Sequence, residues 1–378
     1  RLGVDNRFVA PHAMFPTPVT FCEIFPPDDF PLYFYRKPSA PDLQITVDDI
    51  DTEAVRTARL FWATVTGLSE EPSRSAHFAA WTTRQRKPLT GLDLDERDEG
   101  VQFAGVKLRP IFPTITQKLD FPDDHPMLDH FKFVAANTKV VPKISIPGPS
   151  CCHFRTAPED IHPEEYKDPE VLMADIAATY KKAVTKFYEA GCRYLQMDDI
   201  FFAYLCDPKH RAEKQANGQD PDWLIQKYSW MMREAIKDRP ADMTIGMHMC
   251  RGNFRSTHAA EGAYDLAAEA IFDTGVDIFF MEYDTDRAGG LEPLGLLPRG
   301  KQRILPGFVT TKTPELEEMD WLKSKFDEAS KYVDIDQLGI APQCGFASTE
   351  EGNAVTEGDQ RRKLELIVRC AEEIWGGV

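Results

Sequence analysis

From about residue 103 onward, short apolar runs alternate with longer amphipathic segments along the chain. The runs predict buried β-strands, and the segments between them have the length and periodicity of helices. Buried strands that alternate with such helices are typical of a parallel sheet covered by helices. The predicted strands lie at 140–146, 194–197, 243–247, 278–281, 304–309 and 338–341, and the predicted helices at 169–190, 221–237, 259–274, 313–332 and 356–375.

The number of strand–helix units indicates the kind of α/β fold. Six units follow residue 103, and we expect further strands before it. An eight-stranded (β/α)8 TIM barrel accommodates this order better than an open sheet does. In such a barrel, polar residues just beyond the carboxyl end of each strand face the site. This rule selects the candidate residues below.

The first hundred residues have a different character. Prolines recur throughout 1–42 and exclude long helices, so we expect an extended arm there. The pattern at 47–67 predicts a helix, and the polar stretch 69–100, which has few β-branched residues, predicts a surface insertion. We therefore expect residues 1–102 to form an N-terminal arm and insertion packed on the barrel, with 103–378 as the catalytic core of a single domain.

The charge balance narrows the range of partners. With 44 basic and 61 acidic residues, the chain carries a formal net charge of −17. This acid excess argues against nucleic acid or an anionic membrane surface as the main partner. No run of about 18 apolar residues predicts a membrane span. We therefore expect the partners to be small molecules.

Cysteine usage indicates the redox compartment. Eight cysteines in 378 residues are too few for a disulfide scaffold, and their spacing is irregular. Free thiols in a reducing compartment are the better interpretation, and no signal segment is visible in the sequence. We expect a cytoplasmic protein in which some cysteines act as metal ligands.

A histidine and a cysteine lie together at the end of a predicted strand, in the segment MHMC. Side chains at i and i+2 of a strand point to the same face, so His248 and Cys250 can meet one ligand. Two further candidates follow later strands, Glu282 at the end of DIFFME and Cys344 after IAPQ. An imidazole, two thiolates and a carboxylate at one end of a barrel suit Zn²⁺. The alternatives are that Cys344 is a small buried residue and Glu282 a carboxylate at the rim.

Two acids follow the strand YLQM. Because neighbouring side chains of a strand alternate, one of Asp198 and Asp199 points toward the site and the other toward the barrel wall. We predict that Asp198 is catalytic, as a proton shuttle or ammonium ligand, and that Asp199 binds substrate; a salt bridge or helix cap is the alternative. Arg251 could hold an acidic substrate group or pair with structural acids, while Asn253 and Ser256 would cap the following helix.

The segments YLQMDD, MHMCRGNFRST, FFMEYD, TKTPELE and APQCGFASTEEGN occur in this order. Together they resemble the C-terminal catalytic domain of cobalamin-independent methionine synthase, in particular its short single-barrel relatives, over residues 103–375. The resemblance implies a barrel like those of methionine synthase and uroporphyrinogen decarboxylase, with zinc held by His248, Cys250, Glu282 and Cys344. It further implies that a homocysteine-like thiol binds as the thiolate and accepts a methyl or alkyl group from a donor.

The resemblance also implies roles for residues around this centre. Lys312 stands where the full-length synthase has a histidine that acts as an acid, so we predict a catalytic ammonium that stabilises an anionic leaving group; a solvated lysine is the alternative. The loop PGPSCCHFR matches the substrate-side loop of the family, which makes His153 and Arg155 candidates for substrate binding. The Gly-Ser element that helps to bind homocysteine has no counterpart here, so the identity of the thiol stays open.

Other functions are compatible with the same residues. Zinc could act as a Lewis acid in a lyase or hydrolase, with Asp198 and Lys312 moving protons, or it could activate a thiol that opens an epoxide. A closed zinc site with four ligands in a metabolite-binding barrel would be structural rather than catalytic. The proline-rich arm could pack on a second copy of the chain, which would give a homodimer.

Overall fold

The computed structural model describes residues 12–17, 19–22, 32–35, 40–58, 68–85, 89–96, 102–103, 105–107, 111–349 and 352–377. The chain divides into two units, Arg1–Lys87 and Pro88–Val378. All candidate site residues lie in the second unit. The packing of an N-terminal arm on the barrel and a domain boundary at residue 102 stay predictions.

The described residues of the first unit include a short antiparallel sheet and two α-helices. β1 (Val19–Cys22) pairs with β2 (Leu32–Tyr35). α1 (Thr52–Thr57) begins after Asp51, whose side chain accepts a hydrogen bond from a main-chain N–H of the first turn. α1 is part of the helix predicted at this place, and residues 59–67 of that prediction lie outside the described residues.

The segment 69–100, predicted as a polar surface insertion, contains two regular elements, and its role as an insertion stays a prediction. α2 (Ser73–Gln85) buries Ala76 and Ala80, which lie one turn apart on the same face. β3 (Thr90–Glu96) follows and belongs to the second unit. A stripe of small alanines carries little apolar signal, so the sequence pattern did not reveal the buried face of α2.

The second unit opens with antiparallel strands. β4 (Gln102–Phe103) and β5 (Val106–Lys107) pair with each other. β6 (Ile111–Asp120) pairs with β3, and Leu92 lies opposite the fully buried Ile115. The partner strand therefore explains why β3 forms despite its low content of β-branched residues, since strand formation depends strongly on cross-strand packing.

The rest of the second unit alternates strands and helices. Among the described residues, none of the helices combines the length and the apolar composition that a membrane span requires. The elements are α3 (Pro126–Ala136), β7 (Ile144–Pro147), α4 (Pro169–Glu189), β8 (Tyr194–Asp198), α5 (Phe201–Tyr204), α6 (Pro208–Ala216), α7 (Pro221–Ile236), β9 (Thr244–Met249), α8 (Ala268–Phe272), β10 (Ile278–Glu282), β11 (Arg303–Gly307), α9 (Met319–Ala329) and α10 (Glu357–Trp375).

β7, β8, β9, β10 and β11 form one parallel sheet, in which each strand lies beside its predecessor in the chain. Two isolated parallel bridges, Ile304–Leu338 and Val309–Pro342, bring a further segment to the edge next to β11. The sequence predicts a strand at 338–341. In the structure this segment forms only isolated bridges with β11 and the residues after it, and is not a regular strand. Because the strands are parallel, their carboxyl ends lie along one edge of the sheet.

Helix α4 shows how the sequence covers this sheet. Asp168 caps its first turn by accepting a hydrogen bond from the main-chain N–H of Glu170, and Pro169 occupies the first helical position. Ile176 and Phe187 are fully buried in the core that α4 shares with the strands. Each such side chain contributes about 1.5–3 kcal/mol through burial.

Several predicted elements differ from the structure in extent; the helix predicted at 313–332, for example, is the shorter α9. Val140 and Val141 are exposed, and β7 begins only at Ile144. The helix predicted at 259–274 is reduced to α8, because the preceding main chain forms other hydrogen bonds. The carbonyl of Arg251 accepts from the N–H groups of the residues at 259 and 260, which folds this segment back toward the end of β9.

Candidate metal centre

Three side chains of the candidate metal centre come from two places in the chain. His248 lies near the end of β9, and Cys250 directly follows this strand. Cys344 lies two residues beyond Pro342, whose bridge to Val309 holds this segment at the same edge of the sheet. One donor atom of each of the three residues lies within 4.8 Å of the other two. The parallel sheet therefore brings together an imidazole and two thiols from distant parts of the sequence.

His248 has different surroundings at its two ring nitrogens. Its Nδ1 lies 3.3 Å from Oδ1 of Asp198, whereas the buried Nε2 has no hydrogen-bond partner among the described residues. Burial alone would lower the pKa of His248, but the acidic groups of Asp198 and Cys344 outweigh burial and raise this pKa to about 10. A buried nitrogen without a partner, beside two thiols, is a suitable metal ligand.

The two thiols interact strongly with each other. The hydrogen bond from Cys250 holds the pKa of Cys344 well below the usual thiol range. The same contact, together with burial, raises the pKa of Cys250. Sγ of Cys344 also lies 3.3 Å from Oγ of Ser348. Cys344 is therefore predisposed to be a thiolate, which is the form of cysteine that binds metals.

The composition of this group fits a zinc ion. Zinc is bound by histidine nitrogen and cysteine sulfur in tetrahedral sites, and soft thiolates favour it over magnesium or calcium. Within the described part of the chain, no other group of three such side chains lies close enough together to hold a metal. Three ligands leave one tetrahedral position for a carboxylate or a substrate.

Glu282, the fourth predicted ligand, is not one of the three residues whose donor atoms cluster. It is fully buried at the end of β10, and its Oε2 accepts hydrogen bonds from the main-chain N of Arg251 at 2.7 Å and from Nε2 of Gln343 at 2.9 Å. These donors belong to the residues next to Cys250 and Cys344. The carboxylate therefore stands beside both sulfur ligands, and its role as the fourth ligand stays a prediction.

Lys312 is buried and forms two ion pairs. Its Nζ lies 3.5 Å from Oε1 of Glu282 and 3.3 Å from Oδ2 of Asp284, and Arg287 contacts the same two acids at 2.9 and 3.2 Å. Burial would raise the pKa of Glu282, but the charge of Lys312 and further donors lower it to about 2. The alternative of a solvated lysine is therefore wrong. Lys312 helps to keep Glu282 ionised, and its catalytic role stays a prediction.

Arg251 is fully buried, and its guanidinium is held by the protein itself. It donates to the carbonyl oxygens of Gly262, Glu282 and Ala288, and it lies 4.2 Å from the ring centroid of Tyr264. The contacts with Gly262 and Tyr264 lie within the connection after β9, and those with Glu282 and Ala288 join this connection to the end of β10 and the residues after it. We therefore assign Arg251 to holding this connection, and not to binding substrate.

The two acids at the end of β8 differ in exposure, Asp198 being the last residue of the strand and Asp199 the next. The side chain of Asp198 is 42% exposed, and its Oδ1 accepts a hydrogen bond from Nε2 of Gln196 at 2.9 Å. Burial acts to raise the pKa of Asp198, but the hydrogen bond with His248 lowers it overall. Asp199 is fully buried, accepts a hydrogen bond from the Ser150 hydroxyl, and has a pKa that burial raises to about 6. Asp198 is thus the acid that a substrate can reach.

The loop after β7 carries the two other predicted substrate residues. His153 is buried, its Nδ1 lies 2.8 Å from the hydroxyl of Tyr228, and burial lowers its pKa to about 3, so it is neutral. Arg155 is half-buried, with its guanidinium 5.5 Å from the ring centroid of Phe201. The binding of an anionic substrate group by Arg155 stays a prediction.

Residues that the sequence analysis assigned to helix caps instead join the two ligand-bearing loops. Asn253 donates to the carbonyl of Gly345 at 2.9 Å and to the hydroxyl of Ser348 at 3.0 Å, and it accepts from Asn353 at 2.9 Å. Ser256 accepts a hydrogen bond from the main chain of the same distant segment. The sequence feature that could have indicated this role is their position, a few residues after the predicted ligand Cys250.

A parallel sheet covered by helices, with an imidazole and two thiols gathered at the carboxyl ends of its strands, defines an α/β protein with a candidate metal centre. Residues 123–372 match the profile of the cobalamin-independent synthase catalytic domain, so the chain belongs to this family. The match confirms the family that the sequence motifs indicated.

Relatives with known sequences and structures agree with this assignment. Protein YxjG of Bacillus subtilis (strain 168) is 42% identical over 313 residues, which cover 82% of each chain. A structure from Listeria monocytogenes, described as a vitamin-B12-independent methionine synthase, is 37% identical with a TM-score of 0.56, and covers 70% of this chain and 74% of that one. The B12-independent methionine synthase from Shewanella sp. W3-18-1 has the same TM-score at 18% identity, over 78% and 81% of the chains, and supports the fold alone. These likenesses confirm the TIM-barrel fold class.

Proposed function

We propose that this protein is a zinc-dependent transferase that binds a thiol substrate as its thiolate for methyl or alkyl transfer. In this proposal His248, Cys250 and Cys344 hold Zn²⁺, and Glu282 is the exchangeable fourth ligand because oxygen is the hardest donor of the set. The partners are a homocysteine-like thiol and a methyl or alkyl donor. The chain's membership of the cobalamin-independent synthase family supports methyl transfer as the reaction.

The observation that carries the proposal is the buried, unpaired Nε2 of His248 beside two thiols. A buried polar atom without a partner costs about 1–3 kcal/mol, so such atoms are uncommon unless another group binds there. The sulfurs supply the negative charge that a divalent cation needs. A metal ion would therefore satisfy all three side chains at once.

Zinc and the side chains of the protein would have separate roles in binding and activating the substrate. When bound, Zn²⁺ would lower the pKa of a coordinated substrate thiol and so make the thiolate available at neutral pH. Asp198 is ionised and partly exposed, so it can accept hydrogen bonds from a substrate ammonium. Arg155 can bind a carboxylate in a bidentate fashion. Neutral His153 supports the same loop through its contact with Tyr228.

We do not propose a lyase or hydrolase. That function requires Lys312 to move a proton, whereas its ammonium lies between the carboxylates of Glu282 and Asp284. These two ion pairs hold the ammonium in place and suit a role in positioning Glu282. A cytoplasmic location and a homodimer stay predictions.

Metal analysis tests the centre itself. We expect the purified protein to bind about one zinc ion per chain, and we expect Cys250→Ser and Cys344→Ser to lose it. Cys370→Ala, which changes a buried cysteine of α10, is the matched control and should keep the metal. Full zinc loading of the Cys250→Ser, Cys344→Ser double variant would contradict the proposed ligands.

Cobalt substitution tests whether a thiol binds. We expect homocysteine or coenzyme M to shift the cobalt–thiolate absorption of the substituted protein, because a substrate sulfur would enter the metal's coordination sphere. Glu282→Gln should keep the metal and show an altered response to thiol. An absorption spectrum that no thiol changes would reject thiol activation and leave a structural metal as the explanation.

A transfer assay tests the reaction. We expect the zinc-loaded protein to form an S-methylated product from homocysteine and a methyl donor, and we expect the metal-free Cys344→Ser variant to form none. Asp198→Asn should reduce turnover. Formation of product at the same rate by the metal-free variant would show that the centre is not used.

A further inference from the structure

A line of polar side chains runs along one face of the sheet and ends at the candidate metal centre. Tyr194, Gln196 and Asp198 alternate on this face of β8, and the register places Asp198 opposite His248 on β9. Lys143, just before β7, has its Nζ 3.0 Å from Oε1 of Gln196. Nε2 of Gln196 lies 2.9 Å from Oδ1 of Asp198, which in turn lies 3.3 Å from Nδ1 of His248.

The hydrogen-bonding character of each group fixes the orientation of the next. An ammonium can only donate, so Lys143 requires the amide oxygen of Gln196 to face it. The amide NH₂ must then point to Asp198, whose carboxylate can only accept. Asp198 therefore also accepts from Nδ1–H of His248. The remaining nitrogen of His248, Nε2, is the one that can offer a lone pair to a metal, and it is the unpaired atom beside the two thiols.

The position of Lys143 is itself fixed by its neighbours. Its Nζ lies 5.2 Å from the ring centroid of Tyr194 and 4.9 Å from that of Phe280, which are distances of cation–π contact. Gly246 leaves room for the two rings, since a Cβ there would lie 3.2 Å from the Phe280 ring and 3.4 Å from the Tyr194 ring. These contacts with two rings therefore position the first group of the line.

We propose that Lys143 and Gln196 are positioning residues for the metal centre, which act through Asp198 to hold His248 with Nδ1 protonated and Nε2 directed at the metal. The inference rests on the proposed function in one respect, because it takes His248 to be a metal ligand. Neither residue contacts the cluster of donor atoms directly. Outer partners of this kind orient ligating histidines and tune their affinity for metal.

Zinc affinity is the first test, measured by competition with a chromophoric chelator. We expect Lys143→Met and Gln196→Leu to weaken zinc binding by about tenfold, at the lower end of the usual effect of outer partners. Lys143→Arg keeps a donor-only cation and should restore most of the affinity. Lys139→Met removes an exposed lysine four residues away and is the matched control, with no change expected.

The state of the His248 ring is the second test, because a merely structural role would not change it. Long-range ¹⁵N–¹H spectra of the zinc-loaded protein, assigned with His248→Gln, report which ring nitrogen carries the proton. We expect Nδ1–H in the wild type, and an upfield shift of this proton in Gln196→Leu as the contact with Asp198 weakens. Thermal unfolding of each variant verifies that it is folded.

The outcomes separate this inference from the proposed function. If the wild type binds zinc but both variants bind it equally well and show an unchanged Nδ1–H resonance, the positioning role is wrong while the centre stands. If the wild type binds no zinc, the proposed function itself is wrong, and the positioning role falls with it. Loss of affinity in Lys139→Met to the same extent would also overturn the inference.

Discussion

Single residues at the carboxyl edge of the sheet have protonation states set by their immediate neighbours. Asp198 and Asp199 are adjacent and chemically identical, yet one is ionised beside His248 and the other is buried against Ser150 with a raised pKa. The sequence predicted that they face opposite ways, because strand side chains alternate. Packing decides which of the two acids points toward the site, and the structure shows that it is Asp198.

The raised pKa of Asp199 predicts a pH dependence of stability. Its pKa is about 6 in the folded protein against a usual 3.8, so the folded state binds the proton more tightly than the unfolded state does. The stabilisation is fully present below pH 3.8 and is lost as the pH rises through 6. The shift of about two units corresponds to roughly 3 kcal/mol between the two limits.

Asp199→Asn provides the comparison for this prediction, since it cannot titrate. We expect the difference in Tm between the wild type and Asp199→Asn to move in favour of the wild type as the pH falls from 7.5 to 5. A difference that stays constant over this range would show that Asp199 does not titrate there.

Arg155 leads to a prediction about substrate selection. If its guanidinium binds the carboxylate of the thiol substrate, Arg155→Met should raise KM for a carboxylate-bearing thiol by roughly 10- to 100-fold, the worth of a hydrogen bond to a charged group. We expect kcat to change little. A thiol without a carboxylate is the control, and its KM should be the same in both proteins; equal loss for both thiols would contradict a carboxylate contact.

Whole elements bring the ligands into register. His248 lies in β9, and Cys250 directly follows this strand. β11 and the segment bridged beside it bring Cys344 to the same edge. The apolar runs predicted four of the five strands of the sheet with nearly their observed bounds, because buried parallel strands are continuously hydrophobic. The helix predicted at 259–274 failed because Arg251 holds this segment through main-chain contacts that leave no periodic signal.

Close packing between elements predicts the effect of a single methyl group. A Cβ at Gly307, the last residue of β11, would lie 2.7 Å from Cα of Gln343, next to Cys344. We expect Gly307→Ala to displace this backbone, lower stability by about 1–3 kcal/mol and weaken zinc binding.

Gly339→Ala is the matched control for this prediction. Its Cβ would lie 3.1 Å from Cγ of Leu305, a side chain that can move, so we expect a smaller loss of stability and unchanged zinc affinity. Chelator competition and thermal unfolding measure both quantities. Equal zinc affinity in Gly307→Ala and the wild type would show that the Cys344 segment tolerates the shift.

At the scale of the whole molecule, a bound metal would link segments about a hundred residues apart in sequence, from His248 to Cys344. A ligand that binds only the folded state stabilises it by about 2.7 kcal/mol when its free concentration is 100 times Kd. We expect removal of zinc by a chelator to lower the Tm of the wild type. Cys344→Ser should show a low Tm that the chelator does not change, and a chelator-insensitive wild type would contradict the link.

The sequence by itself determined the local properties of this protein. The alternation of apolar runs and amphipathic segments determined the parallel α/β sheet, since each periodicity reflects burial of one face of one element. Residue type determined the donor chemistry of His248, Cys250 and Cys344. Ordered motifs determined the family, which the profile match confirms.

Only the tertiary structure decided which side chains meet. It showed that Arg251 and Asp199 are buried in structural contacts, that Lys312 is paired with Glu282, and that Lys143 and Gln196 line up behind His248. These outcomes depend on contacts between segments far apart in the chain. A pattern along the sequence records the burial of each residue, but it carries no information about the partner that buries it.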